Sequence, residues 1–273
     1  MISQAKRLFS LPSHLVTLKL SALLLILYPM NDLYVVMSVL GIILLVHDDL
    51  TKNHWVWLAA ALAACYALIS NWFSLNNHEF LIAYWCITCW LAASSNDPDK
   101  VLSWNARILV GLTFLFAELW KIFGGYFLDG SYLYYVFLAG GRFAGLASFI
   151  GDLTRETLAE NRAAVDALKT LPVEGVGVAL RGSPILKTWA IVFSYWTILI
   201  EAIIPIVYLS RRPALLHRYR SIPLLIFIAT TYAIVPLHRF ALVLNIFGFA
   251  QCPQDLAWIR GLHLLLFLLI PFF

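Results

Sequence analysis

Apolar runs follow one another along almost the whole chain, near residues 14–29, 33–47, 55–72, 78–94, 104–123, 184–209, 221–249 and 256–272, separated by short polar stretches. A helix of about 20 such residues crosses a bilayer, and shorter ones serve in pairs or when broken. Charged residues are only 12% of the chain and hydrophobic ones 62%, against about 25% charged in an ordinary soluble domain. Water could not solvate such a surface, so the reading is all-α: one polytopic membrane bundle of about eight helices, residues 1–273. "MND" joins the first two runs as a hairpin, and Pro236 should kink the seventh by removing a backbone donor.

The opening "MISQAKRLFSLPSHLVTLKLSALLLILYP" places basic residues before an apolar run, as a signal peptide does. No small-x-small site follows, which makes it a retained first helix. The net charge of +4 is small and dispersed, so nucleic acid is not an expected partner. Cys65, Cys86, Cys89 and Cys252 form no secreted disulfide framework and no metal-ligand spacing.

Basic residues in short loops set orientation. "SRRPALLHRYR" holds Arg211, Arg212, Arg218 and Arg220. Placing it in the cytoplasm puts Lys6, Arg7, Lys52 and Lys100 there too, with residues 124–183 on the outer side of a cell (inner) membrane. That outer insert begins with "GGYFLDGSYLYYVFLAGGRFAGLASFIG", suited to a re-entrant or interfacial element. In "DLTRETLAENRAAVDALKTL", Leu153, Leu158, Val165, Leu168 and Leu171 recur at helical spacing, predicting an amphipathic helix.

Within the fifth run, "LTFLFAELWKIFGGYFLDGS" contains Glu118 and Lys121. A charge at mid-bilayer costs about 2.5–3.5 kcal/mol on insertion scales. Lys121 either snorkels, pairs with Glu118 one turn away, or serves chemistry. The topology sets Lys121 at the same outer depth as Asn76, Asn77 and His78, which open the fourth run, and as His238 in the seventh. His78 alternatively caps its helix, and His238 beside Arg239 alternatively marks a polar seam. With Tyr84, Trp85, Trp120 and Tyr126, these residues would make an aromatic pocket. Glu201 lies deeper and needs a partner or a proton. Cys86 and Cys89 share a helix face, where small packed residues are expected, although a quinone-linked dithiol has the same spacing.

Two stretches resemble a known family. "NNHEFLIAYW" resembles a helix opening in vitamin K-dependent γ-glutamyl carboxylase and the wider horizontally transferred transmembrane (HTTM) domain family, and "FAELWKIFGGYFLDGSYL" is similar to that family's lysine-bearing helix end. "HRFALVLNIFGF" resembles a third family helix, with His238 and Gly248 on its histidine and glycine, though Ala241-Leu242-Val243 stand where the family has Asn-x-x. The resemblance runs through roughly 55–250 and implies Lys121 as initial base. His78 and His238 would be the other catalytic residues, and Asn76, Asn77, Trp85, Trp120 and Tyr126 would bind the cofactor. It implies a reduced quinone of the vitamin K or menaquinone type, O2 and CO2, with no metal. A strong base made from quinone and O2 would deprotonate a peptide or small carbon acid, CO2 would trap the carbanion, and the quinone would leave as an epoxide. Partners would be membrane lipid, the quinone and a small peptide substrate. The family's large lumenal domain has no counterpart here, which leaves non-catalytic peptide maturation or export, and thiol oxidation at Cys86 and Cys89, as the other readings.

For Lys121 to act as a base it must be neutral when substrate arrives, and an ionised Glu118 nearby opposes that. Gly124 and Gly125 would let the chain turn beside the lysine, with Gly125 leaving room for a ring.

Overall fold

The computed structural model describes residues 12–28, 33–73, 76–169, 177–210, 218–232 and 237–272. Among them the chain is all-helical, with no strand. Helix α1 (Ser13–Leu27) pairs with α2 (Tyr34–Val46), and a single turn, α3 (Asp48–Thr51), leads into α4 (His54–Ser70). Gly41 makes the first contact possible: a side-chain carbon there would stand 2.7 Å from Ile26 and 2.8 Å from the Ala22 carbonyl. Small residues at such crossings let backbones approach closely. The buried Trp57 indole donates to the Thr51 carbonyl at 2.8 Å, fixing the α3–α4 corner.

Helix α5 (Asn77–Ala93) packs on α4, and α6 (Pro98–Gly124) follows as the longest element. Its start obeys local rules: the Asp97 side chain accepts from the Lys100 amide at 3.1 Å, and Pro98 occupies the first turn, where its missing N–H costs nothing. The end is set by Gly125, at φ 73°, a left-handed position that suits glycine.

The insert folds as α7 (Ser131–Ala139), a 3-10 turn (Gly141–Phe143), α8 (Ala144–Ile150) and α9 (Arg155–Lys169). The pair Ser131–Ala139 and Gly141–Ile150 bends by 82°. Phe137, Leu138, Ala147 and Leu158 form a small core with Leu186 and Ala190, so the insert packs on the first half of α10 (Pro184–Leu209). The expected stripe of α9 turns inward at Leu158, while Leu171 lies outside the described residues. Lower on α10, Leu209 fills the gap at Gly111 of α6, where an added carbon would stand 2.5 Å from its Cδ2.

The seventh apolar run departs from expectation. Instead of one kinked span over 221–249 there are two helices, α11 (Ser221–Tyr232) and α12 (His238–Gln251). They run antiparallel. Gln251 Nε2 donates to Ser221 Oγ at 2.6 Å, while at the other end Tyr232 and Phe240 meet with ring centroids 6.2 Å apart. Pro236 lies outside the described residues. Helices of 12 and 14 residues measure about 18 and 21 Å, short of a hydrocarbon core of about 30 Å. Folding back lets α12 become the central helix, buried from Ala241 through Gln251. Helix α13 (Ala257–Leu269) returns beside it, with the His263 imidazole over Gly248 and hydrogen-bonded to Asn245 at 2.7 Å.

Helix α10 is by itself long and apolar enough to cross a membrane, and the bent pair in the insert meets the same measure together. Large apolar residues lie exposed along its whole length: Ile185, Trp189, Val192, Trp196, Leu199 and Ile203. Similar faces appear on α2 and α13, at Val35, Val39 and Ile42 and at Leu262, Leu265 and Leu269.

Candidate functional site

Thr113, Phe116, Ala117, Trp120 and Lys121 recur on α6 at the three- and four-residue spacing of one helix face. They form one wall of a cavity of about 1100 Å³. Asn76, Asn77, His78 and Leu81 enter from the start of α5, and Leu237, His238, Arg239 and Phe240 from the start of α12. Tyr28 follows α1. Tyr126, Phe127, Tyr132 and Arg142, from the chain after α6, complete it. The polar residues expected at one depth on three separate helices thus share one cavity.

Lys121 is held by carboxylates on two helices. Its Nζ donates to Glu118 Oε1 at 3.0 Å, one turn back on α6, and to Glu201 Oε2 on α10. Glu118 and Glu201 are 5% and 8% exposed, so the three charges form a buried cluster. The Phe127 ring centroid lies 5.3 Å from Nζ, a cation–π distance. Glu118 Oε2 is buried and has no partner. With all three groups ionised the cluster carries one excess negative charge, and a proton on either carboxylate would neutralise it.

His78 Nε2 and His238 Nε2 are also buried without a hydrogen-bond partner. Two orphaned imidazole nitrogens in one cavity are uncommon, because buried polar atoms are generally satisfied. Behind them Glu79, 2% exposed, accepts from the Asn76 amide at 2.8 Å and stands 3.8 Å from Arg239. Arg239 in turn lies 5.6 Å from the Tyr28 ring centroid. One carboxylate therefore ties the start of α5 to that of α12. The Asn-x-x-Glu capping pattern in "NNHE" was its signal in the sequence.

The glycines beside Lys121 divide their work differently from expectation. A side-chain carbon at Gly125 would meet nothing within 4 Å, so its role is the left-handed φ. At Gly124 such a carbon would stand 3.0 Å from the Tyr126 ring, and this is the position that leaves room. Just beyond, Asp129 accepts from the Ser131 hydroxyl at 2.5 Å and from its amide at 2.8 Å, contacts that hold its carboxyl below the usual carboxylate range.

Trp85 and Tyr84 do not line the cavity. Trp85 is 1% exposed in the main core, donates from Nε1 to Ser21 Oγ at 2.7 Å, and packs 4.7 Å from Phe247. Trp85 stands two turns along α5 on nearly the same side as His78, beyond the cavity, and Tyr84 lies about 120° away. Tyr84 is exposed. Cys86 and Cys89 are free thiols buried in the same core, outside the cavity wall. Comparison with protein-family models, with curated proteins and with solved structures returns no match to this chain.

Proposed function

We propose that the chain is an integral-membrane enzyme that holds a reduced quinone in this cavity. With O2, it would use the quinone to deprotonate a peptide or small carbon acid, as the likeness to the γ-carboxylase and HTTM family implies. The observation that carries the proposal is the convergence of Lys121, His78 and His238 on one aromatic cavity. The long exposed apolar faces support a bilayer setting, since contiguous patches of that extent are rare on soluble monomers. In that setting the end bearing α7–α9 faces outward, and the ends near Lys52 and Lys100 face the cytoplasm.

The donor set fits such a ligand. His78 Nε2 and His238 Nε2 are free to bond to ring oxygens, and Trp120, Phe127 and Tyr126 offer flat apolar surface. When bound, a reduced quinone with O2 supplies a base stronger than any side chain, and CO2 supplies the carboxyl group.

The chain's own part is to hold and move a proton. Lys121 donates to two carboxylates, an arrangement that does not present a ready base. It would become one by passing a proton from Nζ to Glu201 or Glu118, and a dry site favours the change from an ion pair to a neutral pair. The unpartnered Glu118 Oε2 leaves the cluster room for that proton. His78 and His238 orient the ligand, and Glu79 keeps the helix ends that carry them in register. The thiol reading draws no support from the geometry, since Cys86 and Cys89 face the core.

The test uses protein in nanodiscs with a chemically reduced naphthoquinone and O2, with epoxide read by mass spectrometry. Wild type and Cys86→Ser should form epoxide, and Lys121→Ala should not. Lack of epoxide from folded wild type across several quinones would overturn the proposal and favour peptide handling.

A further inference from the structure

The cavity wall holds Lys121, Arg142 and Arg239 but, among the described residues, no carboxylate. Lys121 is already satisfied by Glu118 and Glu201 behind the wall. Among the described residues Arg239 has a single acidic neighbour, Glu79, at 3.8 Å. Arg142 is exposed on the 3-10 turn between α7 and α8 and has no ion-pair partner among the described residues. Arg142 therefore faces the cavity with its charge unmatched, and Arg239 with donors to spare beyond its long contact to Glu79. Arginine's planar fork suits carboxylate and phosphate oxygens.

The remainder of the wall is apolar and opens sideways. Phe116 and Trp120 line the cavity yet are 64% and 73% exposed on the outer face of α6. They stand one turn apart on the same stripe. From Thr113 to Lys121 the stripe runs about 12 Å along the helix. The cationic residues and the lateral apolar slot thus border one space.

We propose that this cavity admits an anionic lipid from the side, with its carboxylate or phosphate on Arg142 and Arg239 and its acyl chain along Phe116 and Trp120. Such a lipid would be the second occupant of the space, as substrate or resident. The proposal rests on the membrane setting given above but not on quinone chemistry. A peptide would have to approach through water, and the exposed apolar slot favours a chain arriving through hydrocarbon.

The experiment uses the full chain in neutral phosphatidylcholine nanodiscs and follows quenching of tryptophan fluorescence. A dibrominated stearate, a dibrominated phosphatidic acid and the methyl ester of the dibrominated stearate are compared at equal mole fraction in the bilayer. At least one anion should quench saturably at about tenfold lower mole fraction than the ester, as charge-assisted bonds to arginine would give. The anion that does so identifies the headgroup. Trp120→Phe should remove the saturable part of the quenching, leaving the non-saturating part that other exposed tryptophans such as Trp189 and Trp196 contribute. Arg142→Gln with Arg239→Gln should abolish the preference for the anion, while Arg142→Lys retains part of it and controls for folding. Equal quenching by anions and ester would overturn the proposal, as would a preference that survives loss of both arginines or quenching indifferent to Trp120→Phe. Displacement of the brominated anion by a water-soluble acidic peptide as effectively as by stearate would replace the lipid with a peptide. Anion preference without epoxide formation would sink the quinone reading alone, and epoxide without anion preference would sink this one alone.

Discussion

Removing the Lys121 ammonium leaves Glu118 and Glu201 buried and facing one another without a counter-ion. Breaking a buried ion cluster in this way costs about 3–5 kcal/mol, far more than the intact cluster contributes over a neutral replacement. Lys121→Ala should therefore lower the thermal midpoint clearly. Lys121→Ala with Glu201→Gln should recover about half of the loss, because only one buried carboxylate then remains. Additive destabilisation in the double variant would show that the three groups do not act as a cluster. A gentler test lies outside the apolar spans at Asp129, whose carboxyl Ser131 holds low. A group depressed in the folded state stabilises above its unfolded value, and that stability is lost as pH falls through the folded one. Protection of the Ser131 amide relative to its intrinsic exchange rate should therefore fall below the ordinary carboxylate range, and Asp129→Asn should remove that dependence.

At the scale of elements, two junctions decide the site. Gly125 ends α6 at φ 73° and ψ −46°, with the Tyr126 amide donating to the Gly124 carbonyl at 2.8 Å. This tight turn strains any side chain, so Gly125→Ala and Gly125→Asn should each destabilise by about 1–3 kcal/mol. The measurement is thermal unfolding, and an unchanged midpoint in both variants would argue against the turn. The α11–α12 hairpin is the second junction. A straight helix over 221–249 would hold its ends about 42 Å apart, whereas Ser221 and Gln251 touch. Cysteines at these two buried positions in a Cys252→Ser background should join on treatment with a membrane-permeant oxidant such as copper phenanthroline. Failure to join, with each single cysteine reactive, would restore the single span. The run between Ser221 and Phe249 has no charge except Arg239, and hydropathy carries no information about direction. A reversal inside an apolar run is therefore invisible to it.

Viewed whole, the molecule presents apolar residues outward as well as inward. Its packed core runs from α1 to α13 through the central α12, yet α2, α10 and α13 show large side chains on their outer faces. On the proposed setting the chain should stay with membranes through an alkaline carbonate wash. A single cysteine at Lys100 should react only from the cytoplasmic side and one at Asp152 only from the outer side, in a background lacking the native cysteines. Release by carbonate, or labelling of both positions from one side, would overturn the arrangement.

Local sequence alone determined where a few helices begin and end, because the devices that bound them are local: Asp97-Pro98 opens α6, Ser183-Pro184 opens α10, and Gly125 stops α6. It also drew attention to Lys121, His78 and His238 as polar groups within apolar runs, where burial is costly. Which of their neighbours join them only the tertiary structure decided. Trp85 shares the bearing of His78 on α5 but stands two turns further along, in the core against Phe247. Glu201 lies 80 residues from Lys121 in sequence and reaches it only because α10 crosses α6 at that height. Arg142 and Arg239 face one cavity because the insert folds over the end of α6 and α12 turns back beneath it. Helical periodicity fixes a residue's bearing on its own axis, but the rotation and offset of one helix against another come from packing between side chains far apart in the chain.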